Sequence, residues 1–231
     1  TDRHLTITGQ SAHHIIHVLR LRNGASVRVF DGQGCEHEAI LTEISRSRIT
    51  LKIRGTVTTT PEAPLRITLL QGIARNDRMD FILQKAVELG IQTIQPIWML
   101  RSHTRLKGIR LEKRIAHWQG VITSACEQSG RATLPQLLLP EEYSTCIGNR
   151  TDSNLRLMLQ PDARCGLRNL EKPSGGISIL VGPEGGLAPE EQALARTAGF
   201  SGIRMGPRIL RTETAALAAL AGIQTLWGDF S

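Results

Sequence analysis

Apolar residues recur along this chain in two different rhythms. Over residues 27–53 they come at short range, as Val27, Val29 and Phe30, then Ile40, Leu41 and Ile44, then Ile49, Leu51 and Ile53, with the turn-forming strings Asp31-Gly32-Gln33-Gly34 and Ser45-Arg46-Ser47 between them. That spacing predicts antiparallel strands joined by tight turns. Ahead of them, Ile15, Ile16, Val18 and Leu19 fall at helical intervals and Asn23-Gly24 supplies a stop, so a short helix is expected over 13–21. Residues 1–58 therefore read as a small β-rich module, and residues 55–64, with Thr58-Thr59-Thr60, Pro61 and Pro64, have the composition of a linker.

Past residue 64 the rhythm changes. Strand-like runs at 65–70, 93–97, 155–159, 177–181 and 202–205 alternate with helical patterns at 78–89, 111–129, 190–198 and 212–226. In the first of these helices Met79, Ile82, Leu83, Ala86 and Val87 share one face, and Gly90 ends it. Strands alternating with helices predict an α/β domain with a mostly parallel sheet over residues 65–231.

Composition narrows the function classes. No apolar run reaches the ~18 residues that a membrane-spanning helix needs, and residues 1–10 lack the basic flank and apolar block of a secretory signal, so a cytoplasmic protein is expected. Cys35, Cys126, Cys146 and Cys165 lie far apart without zinc-finger spacing and read as reduced thiols. With 28 Lys+Arg against 21 Asp+Glu, the net charge of +7 points to a polyanionic partner, the plainer alternative being a merely basic surface. Only 3% of residues are aromatic, so stacking along a strand is not the main mode of nucleic-acid recognition.

The common nucleotide and hydrolase motifs are absent. There is no G-x-x-x-x-G-K-[ST] and no G-x-S-x-G, and the one G-x-G, Gly32-Gln33-Gly34, sits in a hairpin turn. Two loops after predicted strands remain. Gly182-Pro183-Glu184-Gly185-Gly186 precedes Pro189, Glu190 and Glu191 in a helix's first turn; its glycines let backbone approach a ligand, or make an ordinary strand-to-helix turn. The second loop, 203–214, holds Arg208 and Arg211 before an alanine-rich helix, where Thr212 is expected to cap and Glu213 lies near the positive end. The arginines are an anion site or solvated surface, and the small residues Ala215, Ala216, Ala218, Ala219 and Ala221 permit tight helix packing or a dimer. A third block, 71–80, carries Arg75 and Arg78, and 101–107 is basic, with Arg101, His103 and Arg105. His13 and His17 have a metal-capable spacing but no acidic or Cys partner nearby in sequence, so no metal is expected.

Taken together, Gln71, Arg78-Met79-Asp80, Gln84-Lys85, Glu88-Leu89-Gly90, Glu127-Gln128-Ser129-Gly130-Arg131, Val181-Gly182-Pro183-Glu184-Gly185-Gly186 and Met205-Gly206-Pro207-Arg208-Ile209-Leu210-Arg211-Thr212-Glu213-Thr214-Ala215 closely resemble the RsmE family. Its members are bacterial methyltransferases acting on N3 of a uridine in 16S ribosomal RNA. Further forward, His13-His14-Ile15, Val18-Leu19-Arg20-Leu21-Arg22 and Phe30-Asp31-Gly32 resemble the family's PUA-like RNA-binding barrel, so the resemblance spans nearly the whole chain.

What the resemblance implies is an α/β fold: a SPOUT methyltransferase domain whose C-terminal chain threads a trefoil knot, preceded by a PUA-like β-barrel. It implies S-adenosyl-L-methionine as cofactor, a homodimer, and 16S rRNA within the 30S subunit as partner. Leu159, Val181, Gly182, Pro183, Glu184, Gly185, Gly186, Met205, Gly206, Ile209, Leu210, Arg211 and Thr214 are the implied cofactor wall. Arg20, Arg22, Arg75, Arg78, Arg101, His103 and Arg105 are the expected RNA contacts. The expected catalytic set is Arg211, Glu184 and Glu213: Arg211 with Arg75 or Arg78 stabilises uracil oxygens or phosphate, and Glu184 or Glu213 positions an arginine or the cofactor. Two departures stand out. Arg75-Asn76 replaces the family's Lys-Gly, leaving any glycine conformation to Asn, and the family's opening strand is largely absent ahead of Thr1, which would leave the barrel short of an edge. The rival expectations are a SPOUT enzyme with another target nucleotide and a catalytically silent ribosome-assembly protein.

Overall fold

In the computed structural model the described residues are 3–59, 61–102, 105–148 and 153–230. They form two compact units, Thr1–Pro61 with Arg131–Leu134, and Glu62–Gly130 with Pro135–Ser231.

The first unit contains β1 (His4–Thr8), α1 (Gly9–His13), a π-helical turn at His14–Val18, β2 (Ser26–Phe30), β3 (Glu36–Ile44) and β4 (Arg48–Val57). The strands pair antiparallel in the order β1-β4-β3-β2. Ala39, Leu41, Ile49 and Leu51 are fully buried with Ala12, and Ile15 and Ile16 of the π turn pack against them. Asp31 closes the β2–β3 turn by accepting the N–H groups of Gln33 at 2.7 Å and Cys35 at 3.1 Å, and these bonds to the charged form hold its carboxyl below the ordinary value.

Three expectations are corrected here. The sequence did not mark β1, which lies along β4 with Leu5 opposite Leu51 and Ile7 opposite Ile49. Its alternation was too short to read, since Leu5 is itself 41% exposed. The single helix expected over 13–21 is a five-residue α-turn running into a π-turn, after which Arg20 takes φ 51, the one positive φ among the described non-glycine residues. Asn76 therefore does not adopt a glycine-like conformation. Part of the supposed linker is strand, because Gly55, Thr56 and Val57 continue β4 opposite Glu38, His37 and Glu36. Residues 131–134 also join this unit, Thr133 bridging to Gly32 and Gln33.

The second unit is built on β5 (Ile67–Gly72), α2 (Asn76–Glu88), β6 (Thr93–Trp98), α3 (Ile109–Ser129), β7 (Gln136–Leu137), β8 (Glu141–Glu142), α4 (Tyr143–Gly148), β9 (Leu155–Leu159), β10 (Ile177–Val181), α5 (Pro189–Thr197), β11 (Ser201–Ile203) and α6 (Thr212–Trp227). Its sheet is parallel, ordered β11-β9-β10-β5-β6-β7, with β8 also on β6. Every residue of β10 is buried, as a strand covered on both faces requires. Leu70, Met158 and Leu180 meet Tyr143, Cys146 and Ala195 of α4 and α5 on one face. The long strands and helices fall within a few residues of their expected limits, whereas β7, β8 and α4 are too short for periodicity to reveal.

The C-terminal path is threaded. From β11 at the sheet edge the chain returns to start α6 beside β5 and β10, and α6 packs on α2 and β10 while the 3-10 turn Leu167–Asn169 of the β9–β10 connection lies against it. Leu167 approaches so closely that a Cβ on Gly222 would come within 2.9 Å of it. These contacts set α6 against the connection through which the resemblance expects the chain to thread.

One buried contact fastens α4 to α5. The Tyr143 hydroxyl donates to the Glu191 main-chain oxygen at 2.5 Å, and the Glu191 carboxylate accepts from Ala188 N–H and Leu100 N–H, both at 2.8 Å. Burial, with the neighbouring Glu191 charge second, pushes the Tyr143 phenol above its ordinary value of 10.0. The folded state thus holds this proton more tightly than the unfolded chain, and its stabilisation is lost as pH climbs beyond ~10. Tyr143→Phe is expected to cost ~1 kcal/mol in denaturant unfolding at neutral pH and to flatten the alkaline loss of stability relative to the parent.

Candidate functional site

The carboxyl ends of β9, β10 and β11 open onto a cleft of about 340 Å³, where ligands of open parallel sheets generally bind. Leu159 and Gln160 continue β9 into it, the 182–187 loop follows β10, and the return segment after Ile203 closes it, with Ala215 and Arg78 at its margins.

The loop after β10 is a tight turn in which Gly186 N–H donates to the Pro183 oxygen at 2.8 Å. A Cβ on Gly182 would lie 2.9 Å from the Gly186 carbonyl carbon, and one on Gly72 at the end of β5 would lie 2.7 Å from Pro183 N. Glycine is required at these two points because protein backbone, rather than a ligand, comes too near for a side chain.

Thr212 does not cap α6. Arg211 occupies the cap position without a side-chain bond, and the Thr212 hydroxyl instead donates to the Gly182 oxygen at 2.6 Å while accepting from Gln71 Nε2 at 3.1 Å. Gln71 is 0% and Thr212 7% exposed, so the node is dry. It joins the ends of β5 and β10 to the start of α6. Pairing residues 141 apart, it left no local signal in the sequence.

Around this node the cleft presents main-chain donors. The N–H groups of Met205, Gly206, Arg208, Ile209, Leu210 and Arg211, and that of Gly185 opposite, have no acceptor among the described residues. Leu159, Val181, Ile203, Leu210 and Ala215 add apolar wall. A pocket of unpaired amides over an apolar floor is built to hold a ligand carrying acceptor atoms and a flat apolar group.

Of the residues singled out in the sequence, Leu159, Val181, Gly182, Pro183, Glu184, Gly185, Gly186, Met205, Gly206, Ile209, Leu210 and Arg211 come together on this cleft. Thr214 and Glu213 do not line it: Thr212 and Ala215 occupy the facing side of α6, and residues between them turn away. Glu213 has a buried Oε2 without a partner among the described residues. Glu184 is engaged, its Oε1 accepting from Arg75 N–H at 2.9 Å and lying 3.6 Å from Arg78 Nη1. Arg101 donates to the Gly185 oxygen at 2.8 Å. Arg105 pairs with Glu142 at 2.7 Å, in an exposed bridge of little energetic weight. Arg20 and Arg22 are exposed on the first unit, and His103 lies outside the described residues. Gln160, Pro161, Leu187, Gln192 and Arg204 also line it; of these, only Arg204 lies in a loop that the sequence singles out. No helix among the described residues is long and apolar enough to cross a membrane.

A threaded α/β unit with an amide-lined cleft at its C-terminal return defines a SPOUT-type RNA methyltransferase. An RNA methyltransferase domain family matches residues 61–224, and an RNA methyltransferase PUA domain matches residues 7–54. The ribosomal RNA small subunit methyltransferase E of Buchnera aphidicola (subsp. Acyrthosiphon pisum) is 31% identical over 97% of this chain and 88% of its own length. The crystal structure of the Neisseria gonorrhoeae ribosomal RNA small subunit methyltransferase E bound to S-adenosyl methionine matches with TM-score 0.91 and 43% identity, over 100% of this chain and 94% of that one. A Legionella pneumophila methyltransferase structure with bound SAM matches with TM-score 0.95 and 31% identity over 99% and 94%. The chain belongs to the ribosomal RNA small subunit methyltransferase E family.

If the Thr212 node sets the cleft, Thr212→Val, which strands the Gly182 oxygen and the Gln71 amide, should lower unfolding free energy by ~1–3 kcal/mol, and Thr212→Ser by clearly less. Paired denaturant titrations of the two variants measure this.

Proposed function

We propose that this protein is an S-adenosylmethionine-dependent methyltransferase that modifies N3 of a uridine in 16S rRNA within the 30S subunit, in the cytoplasm. The observation that carries this reading is the row of unpaired amides on the cleft, in a chain of this family. When bound, the cofactor supplies an electrophilic methyl group on a sulfonium sulfur.

The chain's own residues account for the rest. The amides of Met205, Gly206 and residues 208–211 and that of Gly185 would hold the cofactor's polar groups, and Leu159, Val181, Ile203 and Leu210 its flat ring. Uracil N3 must release its proton, which leaves to solvent, to become nucleophilic, and the anion that develops spreads onto the flanking carbonyl oxygens. Arg211 and Arg78, both on the cleft, offer the positive charge that this anion needs. Glu184 would act by fixing Arg78 and the start of α2 rather than by taking the proton, since Arg75 N–H and Arg78 already engage it. Exposed Arg20 and Arg22 of the first unit would hold RNA phosphates. A homodimer fits the outward side of α6, where Leu217, Ala218 and Ala221 are only half-buried and Leu226 is 41% exposed.

The decisive assay is incubation of the purified protein with labelled methyl donor and 30S particles from a strain lacking this activity, followed by nucleoside analysis; labelled 3-methyluridine is expected, and another labelled nucleoside would move the target. Arg211→Ala should slow turnover at least ~10-fold, and full activity would remove Arg211 from the chemistry. Arg22→Ala should reduce the salt dependence of RNA binding by about one phosphate contact, read from the slope of log affinity against log salt.

A further inference from the structure

A second cleft, of about 580 Å³, lies in the same unit between the starts of α2 and α3. Arg78 borders both clefts, and Glu184 of the first contacts Arg78 and accepts from Arg75 N–H of the second. We propose that this second cleft receives the target pyrimidine, swung out of the RNA strand, with its methylated edge toward Arg78. The proposal rests on the methyltransferase reading above and adds the place where the base is held.

Four observations carry it. Two of the chain's three tryptophans, Trp98 and Trp118, line this one cleft, with Met79 beside them. In a chain with so few aromatics, that concentration makes an apolar seat for one flat ring rather than a platform for many. Trp118 is 2% exposed, and its indole N–H has no partner among the described residues. A buried donor left unpaired in a native fold calls for an acceptor from outside the chain. Arg114 on the same wall is only partly buried and has no ion pair or side-chain hydrogen bond among the described residues. Finally, the N–H groups of Asn76 and Asp77 in the first turn of α2 have no acceptor among the described residues.

These groups sort by chemistry. The cleft offers an indole N–H, a guanidinium and helix N-terminal amides, against one carboxylate, Asp77, and the amide of Asn76. A set weighted so strongly to donors suits a ring bearing two carbonyl oxygens joined to a phosphodiester, which is uridine in RNA. Enzymes that modify a base within structured nucleic acid lift it into such a pocket, reading its edge by hydrogen bonds and its face by apolar contact. Adjacency to the first cleft then brings N3 toward the transferable methyl, as a near-attack arrangement requires.

The test uses the full-length protein with its indole nitrogens labelled, so that three tryptophans give three resonances assigned by Trp→Phe variants. With cofactor present, uridine 5′-monophosphate is expected to shift the Trp118 indole signal, while inorganic phosphate alone does not. In parallel, Trp118→Phe and Arg114→Gln should each raise KM or lower kcat on 30S particles by ~5-fold or more, with cofactor affinity by calorimetry within twofold of the parent. An unmoved Trp118 signal, an equal shift with inorganic phosphate alone, or variants as active as the parent would overturn the proposal. Wild-type protein that binds no cofactor and transfers no methyl group would instead overturn the function proposed above, and the indole experiment still decides whether the nucleotide binds here.

Discussion

A single buried hydroxyl organises the catalytic unit. Thr212 gives its proton to the Gly182 oxygen and takes one from Gln71, so three distant pieces of chain, the ends of β5 and β10 and the first turn of α6, are fixed to one another in a dry site. With those ends pinned, the 182–187 and 205–211 segments both line the cleft, and the amides of Gly185, Met205, Gly206 and residues 208–211 have no acceptor among the described residues. The glycines serve the same constraint. Gly72 and Gly182 are the points at which backbones come too close for a Cβ, so the tightness of the crossing, more than any contact with a ligand, dictates residue choice there.

How much of this was legible follows from where each signal resides. The buried strands β9 and β10 and the helices α2 and α6 were readable because burial imposes period and apolarity on contiguous residues, as in Ile177–Val181. β1 was not, because Leu5 and Ile7 alone cannot establish an alternation. The Thr212 node was misread as a cap because the local pattern, a threonine ahead of an alanine-rich helix, is the same for both, and only the fold shows that its partners are Gln71 and Gly182. The knot itself came from resemblance, since hydrophobic periodicity specifies which residues are inside but not the order in which the chain passes them. The arginines were visible as charge and invisible as partners: Arg101 is spent on Gly185 and Arg105 on Glu142, whereas Arg114, which no motif marked, has no side-chain partner among the described residues.

Acidic residues contribute by holding structure. Glu191, only 4% exposed, satisfies two main-chain donors from different loops, and its own carbonyl receives Tyr143. Glu184 likewise joins the β10 loop to the start of α2. Glu184 also lies 3.6 Å from Arg78 Nη1 and so holds that guanidinium at the cleft, where Arg211 also stands.

The passage of α6 beneath the β9–β10 connection sets an order of events during synthesis. Both walls of the cleft can be translated and folded before residue 212 exists, yet they cannot be locked together until Thr212 has been drawn through to meet Gly182. The donor pocket is therefore completed only once residue 212 has been made and packed, late in the chain.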